Sequence, residues 1–282
     1  MMSPIKPVER PNLSGQTGII VGGTSGIGLE CARVLLEHGL SRLILSARNK
    51  HKGDSIVEQM KKTHPKANVD SWDLDLVSYD SIRAFVRQCT ALENINFVIV
   101  SSAVVSNGFR VNPSTGHEEM LQVNYLSVAL LSVLLLPILK AKRNQERPAR
   151  LTLVGTGLIY STKLPENESK SLLATLDGPA KWNSHESLGR YVLSKLLLVM
   201  FMIKLQGQID PSDVIINIAD PGTVKNTNLE REMPWIVKAV VGLAKSVFGR
   251  ALNSAAWTYV DAAVVKGVES HGSYIMDWKI YP

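Results

Sequence analysis

Apolar positions along the chain follow two rhythms. Short apolar runs, too brief for an ordinary helix, alternate with longer stretches where apolar residues return every three or four positions. The first run, Gly18-Ile19-Ile20-Val21, reads as a buried strand. From Leu29 to Leu40 the period becomes helical, with Leu29, Val34 and Leu35 on one face and Glu30 and Glu37 on the other. The same alternation predicts strands at 43–46, 69–76, 95–101, 151–154 and 214–218. Helices are expected at 54–62, 78–89, 118–142 and from 189 to about 206. Strand and helix signals that alternate from end to end indicate a parallel sheet with helices on both faces. The expected architecture is α/β, one doubly wound domain over 1–282 with a sheet of about seven strands. No repeat or linker divides it.

Two stretches break the rhythm. Residues 161–189 are polar and carry Pro165, Gly178 and Pro179, so they are expected to form a long, functional or mobile loop. Residues 229–250 are apolar at many positions, among them Trp235, Val240, Leu243 and Phe248. The most apolar segment, 126–139, is short for a bilayer and carries Pro137, so no integral membrane segment is expected.

Composition narrows the classes. Apolar residues make up 45% of the chain and charged ones 20%, which supports a sizeable core and excludes disorder. The formal charge is +6, but its densest patch, Lys140 to Arg150, falls where a helix should end. Cations favour a helix C-terminus, so a solvated helix end is the better reading and no nucleic-acid partner is expected. Cys31 and Cys89 lie within helical patterns, which suits a reducing compartment. No metal-ligand cluster stands out. Residues 1–16 lack the apolar core of a signal peptide, and the expected location is cytoplasmic.

Chemistry enters at three places. Gly22, Gly26 and Gly28 sit at a strand-to-helix turn, with Thr24, Ser25 and Ile27 between them. A missing Cβ there lets a pyrophosphate approach the helix N-terminus. About 20 positions on, NAD sites place a carboxylate against the ribose hydroxyls. This chain has Ser46-Ala47-Arg48-Asn49 instead, and a guanidinium suits a 2′-phosphate, so NADP(H) is the expected cofactor. Third, Tyr191 and Lys195 share a helix face. A cation lowers a phenol's pKa from its ordinary value near 10, giving a proton donor usable near neutrality.

With these motifs in this order, nearly the whole chain resembles the short-chain dehydrogenase/reductase family. The glycine turn matches the family's with Val21 in place of its opening threonine. The resemblance implies that Asp75 and Leu76 contact the adenine, and that Ser102 and Ala103 stand in the motif after the fourth strand. It also implies that Pro221, Gly222, Val224 and Asn226 reach the carboxamide or phosphates. It casts Tyr191 as proton donor, Lys195 as its tuner and ribose ligand, Thr156 as the substrate-orienting hydroxyl, and Asn124 as anchor of a proton-relay water. The tail, Ser254 to Trp257 and His271 to Tyr274, is similar to fungal members, many of which act in secondary metabolism.

Two departures stand out. Ser101-Ser102-Ala103-Val104 replaces an Asn-Asn-Ala-Gly motif, and Val104 is expected to narrow the cofactor groove. Thr156 replaces the family's serine, and its added methyl crowds the carbonyl site. The resulting expectation is an NADPH-dependent reductase of a lipophilic ketone or aldehyde, or the reverse alcohol oxidation, with residues 229–250 over the substrate. A net non-redox isomerisation or cyclisation on the same site, and a non-catalytic NADP(H) sensor, are the alternatives. A homodimer through helices 118–142 and 189–206 is the expected assembly.

Overall fold

The computed structural model describes residues 10–144, 146–164, 171–178, 183–225 and 249–282. Eight strands form one sheet: β1 (Thr17–Val21), β2 (Arg42–Ala47), β3 (Asn68–Asp73), β4 (Phe97–Val100), β5 (Ala149–Val154), β6 (Val214–Asp220), β7 (Tyr274–Met276) and β8 (Lys279–Tyr281). Their order is β3-β2-β1-β4-β5-β6-β7-β8. All pairs are parallel except β7 with β8, a hairpin that turns at Asp277 and Trp278 with φ of 51° and 66°. The sheet thus has one strand more than expected, and that strand is antiparallel.

The helices are α1 (Gly26–Glu37), α2 (Lys50–Thr63), α3 (Tyr79–Cys89), α4 (Glu119–Lys142), α5 (Leu172–Leu176), α6 (Ser184–Gln206) and α7 (Leu252–Val260). Successive strand side chains point to opposite faces, so each central strand feeds two cores. Ile19, Val21, Val98 and Leu151 pack with Phe85, Leu131 and Met202 of α3, α4 and α6. Ile20, Leu45 and Ile99 pack with Leu35, Met60 and Tyr259 of α1, α2 and α7. Side-chain caps start five of these helices: Asn49, Ser78, Glu118, Ser171 and Asn183 each accept a backbone N–H from the first turn.

Several boundaries differ from the periodic reading. Asn49 starts α2 at Lys50, ahead of the expected Asp54, by capping it. Strand β3 stops at Asp73, which leaves Asp75 and Leu76 in the turn before α3. Helix α4 contains a π-helical turn at Gln122–Leu126, and Pro137 does not break it. It runs 24 residues, long and apolar enough to cross a membrane by length and composition, yet half of its apolar window is buried in this fold. The stretch 161–189 is not irregular throughout: α5 and the start of α6 lie within it, and a 3-10 turn at Gly157–Ser161 ends where it begins. Asn226 and residues 226–248, most of the apolar 229–250 segment, lie outside the described residues.

Strand order reverses between β1 and β4. Open α/β sheets bind ligands beyond the C-terminal strand ends at such a switch.

Candidate active site

The glycine turn occupies that switch. Gly22 has φ +87° and Gly26 φ +55°, left-handed conformations that favour glycine. A Cβ at Gly28 would stand 2.4 Å from the Gly22 carbonyl oxygen, so this glycine lets α1 pack against the turn. A Cβ at Gly22 would meet Ser102 Oγ at 2.7 Å, whereas one at Gly26 would meet nothing within 4 Å. Gly26 therefore faces open space, as a phosphate cradle requires. Ser25 precedes the helix without a side-chain cap, leaving first-turn N–H groups unclaimed by it. Thr24 and Ile27 are half-buried beside it. The Gly22 N–H is held by Ser46 Oγ at 3.0 Å, a partner that sequence spacing does not reveal.

At the end of β2, Arg48 is exposed and its guanidinium has no partner among the described residues. Asn49 Oδ1 instead accepts Lys52 N–H at 2.9 Å, so it caps α2. Asp75 is half-buried and accepts the Val77 N–H. Leu76 is a core residue whose carbonyl accepts Ser127 Oγ. Across the crevice, Ser102 and Ala103 follow β4. Ser101 Oγ donates to the Tyr259 hydroxyl at 3.3 Å, and Ser102 lies against Gly22.

Asn124 is fully buried in the π-helical turn. Its amide grips both backbone groups of Val104, accepting the N–H at 2.8 Å and donating to the carbonyl at 2.9 Å. It also donates to Ser194 Oγ at 3.2 Å. Val104 is thus the residue Asn124 pins, and α4 is tied to the segment of α6 that bears Tyr191 and Lys195.

Lys195 is 1% exposed and its Nζ donates to the Val154 carbonyl at 2.8 Å. Burial lowers its pKa from 10.5 to about 8. No carboxylate pairs with it among the described residues. That contact places the ammonium at the end of β5, two residues before Thr156. Thr156 begins the 3-10 turn, and its Oγ1 accepts Leu158 N–H at 3.4 Å. Tyr191 is 7% exposed, one helical turn before Lys195. Its charge would be felt at Tyr259 and Tyr274, which burial raises most.

The end of β6 carries a residue that the sequence reading missed. Asp220 is 2% exposed, and its Oδ1 accepts the Gly222 N–H at 2.8 Å. Burial pushes its carboxyl above the usual range, against the pull of its donors. A carboxylate closing the apolar run Val214–Ala219, directly before Pro221-Gly222, was the available signal. Pro221 and Val224 are buried, and Gly222 is exposed with φ +68°. Val224 bridges to Arg250, which pairs with Asp277 and so links the Pro221-Gly222 turn to the β7–β8 hairpin.

Residues 16–147 match the short chain dehydrogenase family profile. The short chain dehydrogenase/reductase mfmJ of Annulohypoxylon moriforme is 42% identical, over 99% of this chain and 80% of its own length. The short chain dehydrogenase virL of Hypocrea virens is 37% identical, over 96% of this chain and 78% of its own. Among solved structures, the Pseudomonas aeruginosa RhlG/NADP active-site complex superposes with a TM-score of 0.67 at 20% identity, covering 94% and 96% of the two chains. A Sphingobium yanoikuyae short-chain dehydrogenase in complex with NADPH gives 0.63 at 15% identity, covering 86% and 81%. At these identities the two structures speak for the fold.

Proposed function

The chain belongs to the short chain dehydrogenase family of oxidoreductases, and we propose that within it this protein is an NADP(H)-dependent reductase of lipophilic ketones or aldehydes, or the corresponding alcohol dehydrogenase. One observation carries the reading: the buried Lys195 ammonium, one helical turn after Tyr191, is unpaired by any carboxylate among the described residues and donates to the Val154 carbonyl, two residues before Thr156.

The residues present fit a dinucleotide. Gly28 brings α1 against the turn, Gly26 leaves open space in front of it, and Arg48 is an exposed cation without a partner among the described residues. Gly22 to Gly28 would hold the pyrophosphate and Asp75 and Leu76 the adenine, with Ser102 and Ala103 nearby. Pro221, Gly222, Val224 and Asn226 would hold the nicotinamide end. Arg48 favours a 2′-phosphate, although the sheet also brings exposed Asp73 into register with Ala47.

When bound, the cofactor supplies or accepts the hydride. Tyr191 gives its phenolic proton to the substrate oxygen as charge develops there. Lys195 favours the phenolate that remains, because a cation stabilises the charged form. Thr156 Oγ1 donates to the same oxygen and fixes its position. The Asn124 amide is spent on Val104 and Ser194, so it positions the crevice wall, and its backbone is left to hold a relay water. Leu158 and Tyr160, 47% and 69% exposed just after Thr156, offer apolar surface to a lipophilic substrate. The relatives named above come from fungi, and the same reading places this enzyme in fungal secondary metabolism. Exposed Val133 on α4 with Met200 and Ile203 on α6 suit the proposed homodimer.

The test is consumption of NADPH with decanal and benzylacetone as probe carbonyls, comparing wild type with Tyr191→Phe. Loss of the proton donor should cost about 10²–10⁴ in kcat while NADPH affinity stays nearly constant. Full turnover by Tyr191→Phe would overturn the reading. Product formed without net loss of NADPH would favour a non-redox step.

A further inference from the structure

Asp220 is among the buried charges that the mechanism above leaves unused. Asp220 lies at the C-terminal end of β6, between the ends of β5 and β7: Ala219 is in register with Val154, and Asp220 with Met276. Its Oδ1 is taken by the Gly222 N–H. Its other oxygen faces the chain next to Thr156, since a Cβ on Gly157 would lie 3.0 Å from Asp220 Oδ2. On the other side of Thr156, a Cβ on Gly155 would lie 2.8 Å from Tyr274 Cε2 and 2.9 Å from its hydroxyl. Thr156 is thus flanked by two glycines, one crowded by Ile218 and Tyr274 and the other by Asp220.

The surroundings of the carboxylate are donors. The N–H groups of Gly222 and Gly157, the Tyr274 hydroxyl and the Arg250 guanidinium all favour its ionised form, against burial. The Gly157 N–H and the Tyr274 hydroxyl sit beside it but fall short of full hydrogen-bond geometry, and the Tyr274 hydroxyl is buried with no other partner among the described residues. Arg250 is itself paired with Asp277, so Asp220 is not simply one half of a salt bridge. A carboxylate accepts on both oxygens, and here the two oxygens face different loops.

Resting on the reductase reading, we infer that Asp220 is a positioning residue that ties the Thr156 turn to the Pro221-Gly222 turn. It thereby fixes the substrate-orienting hydroxyl relative to the nicotinamide end of the cofactor site. Removing the tie leaves Thr156 in place chemically but free to shift, and a displacement of about 1 Å can cost about a hundredfold in rate.

Asp220→Asn separates the two halves of the tie. Its amide oxygen still accepts the Gly222 N–H, but its NH2 then faces the Gly157 N–H, donor against donor. The expected kcat with decanal and NADPH falls roughly tenfold to a hundredfold. NADPH affinity, read by its fluorescence, stays within about twofold, because the Gly222 contact survives. If Asp220 acts through Thr156, the Asp220→Asn, Thr156→Val double variant is no slower than Thr156→Val alone. Gly157→Ala, which presses on the same contact from the other side, lowers kcat in wild type and adds nothing to Asp220→Asn. It also serves if Asp220→Asn does not fold. Hydrogen exchange at single amides supplies a readout that needs no substrate: Gly157 exchanges faster in Asp220→Asn while Gly222 keeps its protection.

Wild-type kcat in Asp220→Asn, rate losses that multiply in the double variant, or unchanged exchange at Gly157 would each overturn the inference. Tyr191→Phe distinguishes the two levels. If it is inactive while Asp220→Asn is fully active, only the role of Asp220 fails. If it is fully active, the reductase reading fails, and exchange at Gly157 still decides whether Asp220 holds the turn.

Discussion

The two corners of the crevice are built by opposite means. The glycine corner, Gly22 to Gly28, is one contiguous segment whose geometry depends on atoms that are missing: a Cβ at Gly28 would strike a backbone oxygen at 2.4 Å. The proposed catalytic corner draws Thr156, Tyr191, Lys195 and Asp220 from the turn after β5, from α6 and from β6, and its geometry depends on polar groups buried to 7% exposure or less at three of the four. The first corner tolerates no added volume at Gly22 or Gly28. The second holds charges away from water and must compensate each one with named donors or acceptors. Shape is demanding in one corner and electrostatics in the other, so substitutions should fail differently in the two.

The largest effect expected, beyond loss of Tyr191, is at the polar corner. Thr156→Val keeps shape and removes the hydroxyl, which should cost about 10²–10³ in kcat. Thr156→Ser should retain or raise activity, because the hydroxyl stays and the methyl goes. Equal activity of the valine and serine variants in a steady-state assay would break the contrast.

Lys195 sharpens it through pH. Its folded pKa is near 8 against an ordinary 10.5, so between those values the unfolded chain binds more protons and stability rises with pH. The drop corresponds to on the order of 3 kcal/mol. Melting temperatures of wild type and Lys195→Met, compared at pH 7 and pH 11, should show wild type gaining relative to the variant as pH rises. Parallel curves would mean that the buried ammonium carries no desolvation cost.

At the cofactor's far end, Arg48→Ala should weaken NADPH by about 10–100-fold, the worth of a hydrogen bond to a charged group, and leave NADH nearly unchanged. Titration of cofactor fluorescence checks this. Equal losses for both cofactors would return the choice to Asp73.

The glycine corner supplies the most graded pair, and its Gly26 member is the smallest effect. Gly28→Ala meets backbone and should destabilise by about 3 kcal/mol, whereas Gly26→Ala meets open space and bears only its left-handed φ, about 1 kcal/mol. Chemical denaturation measures both. Equal costs would show that dihedral strain, and not contact, governs the turn.

Alternating apolar runs by themselves determined the doubly wound sheet, because period-two and period-3.6 burial leave different traces along a chain. The glycine turn, Tyr191 and Lys195 were legible because their partners are local: a turn, or one face of one helix. Antiparallel β8 was not, since Lys279–Tyr281 is too short for a period and owes its pairing to Tyr274–Met276. The start of α6 was hidden because Asn183, a polar residue in a polar stretch, caps it. Asn49 read as a cofactor ligand, yet its capping bond depends on where α2 begins. Tertiary structure alone decided that Asn124 grips Val104, that Ser46 holds Gly22, and that Asp220 and Tyr274 close on the two glycines beside Thr156. These contacts join residues 20 to more than 100 positions apart, and no local period records a polar group's distant partner. Burial makes such partners obligatory, but only the fold says which they are.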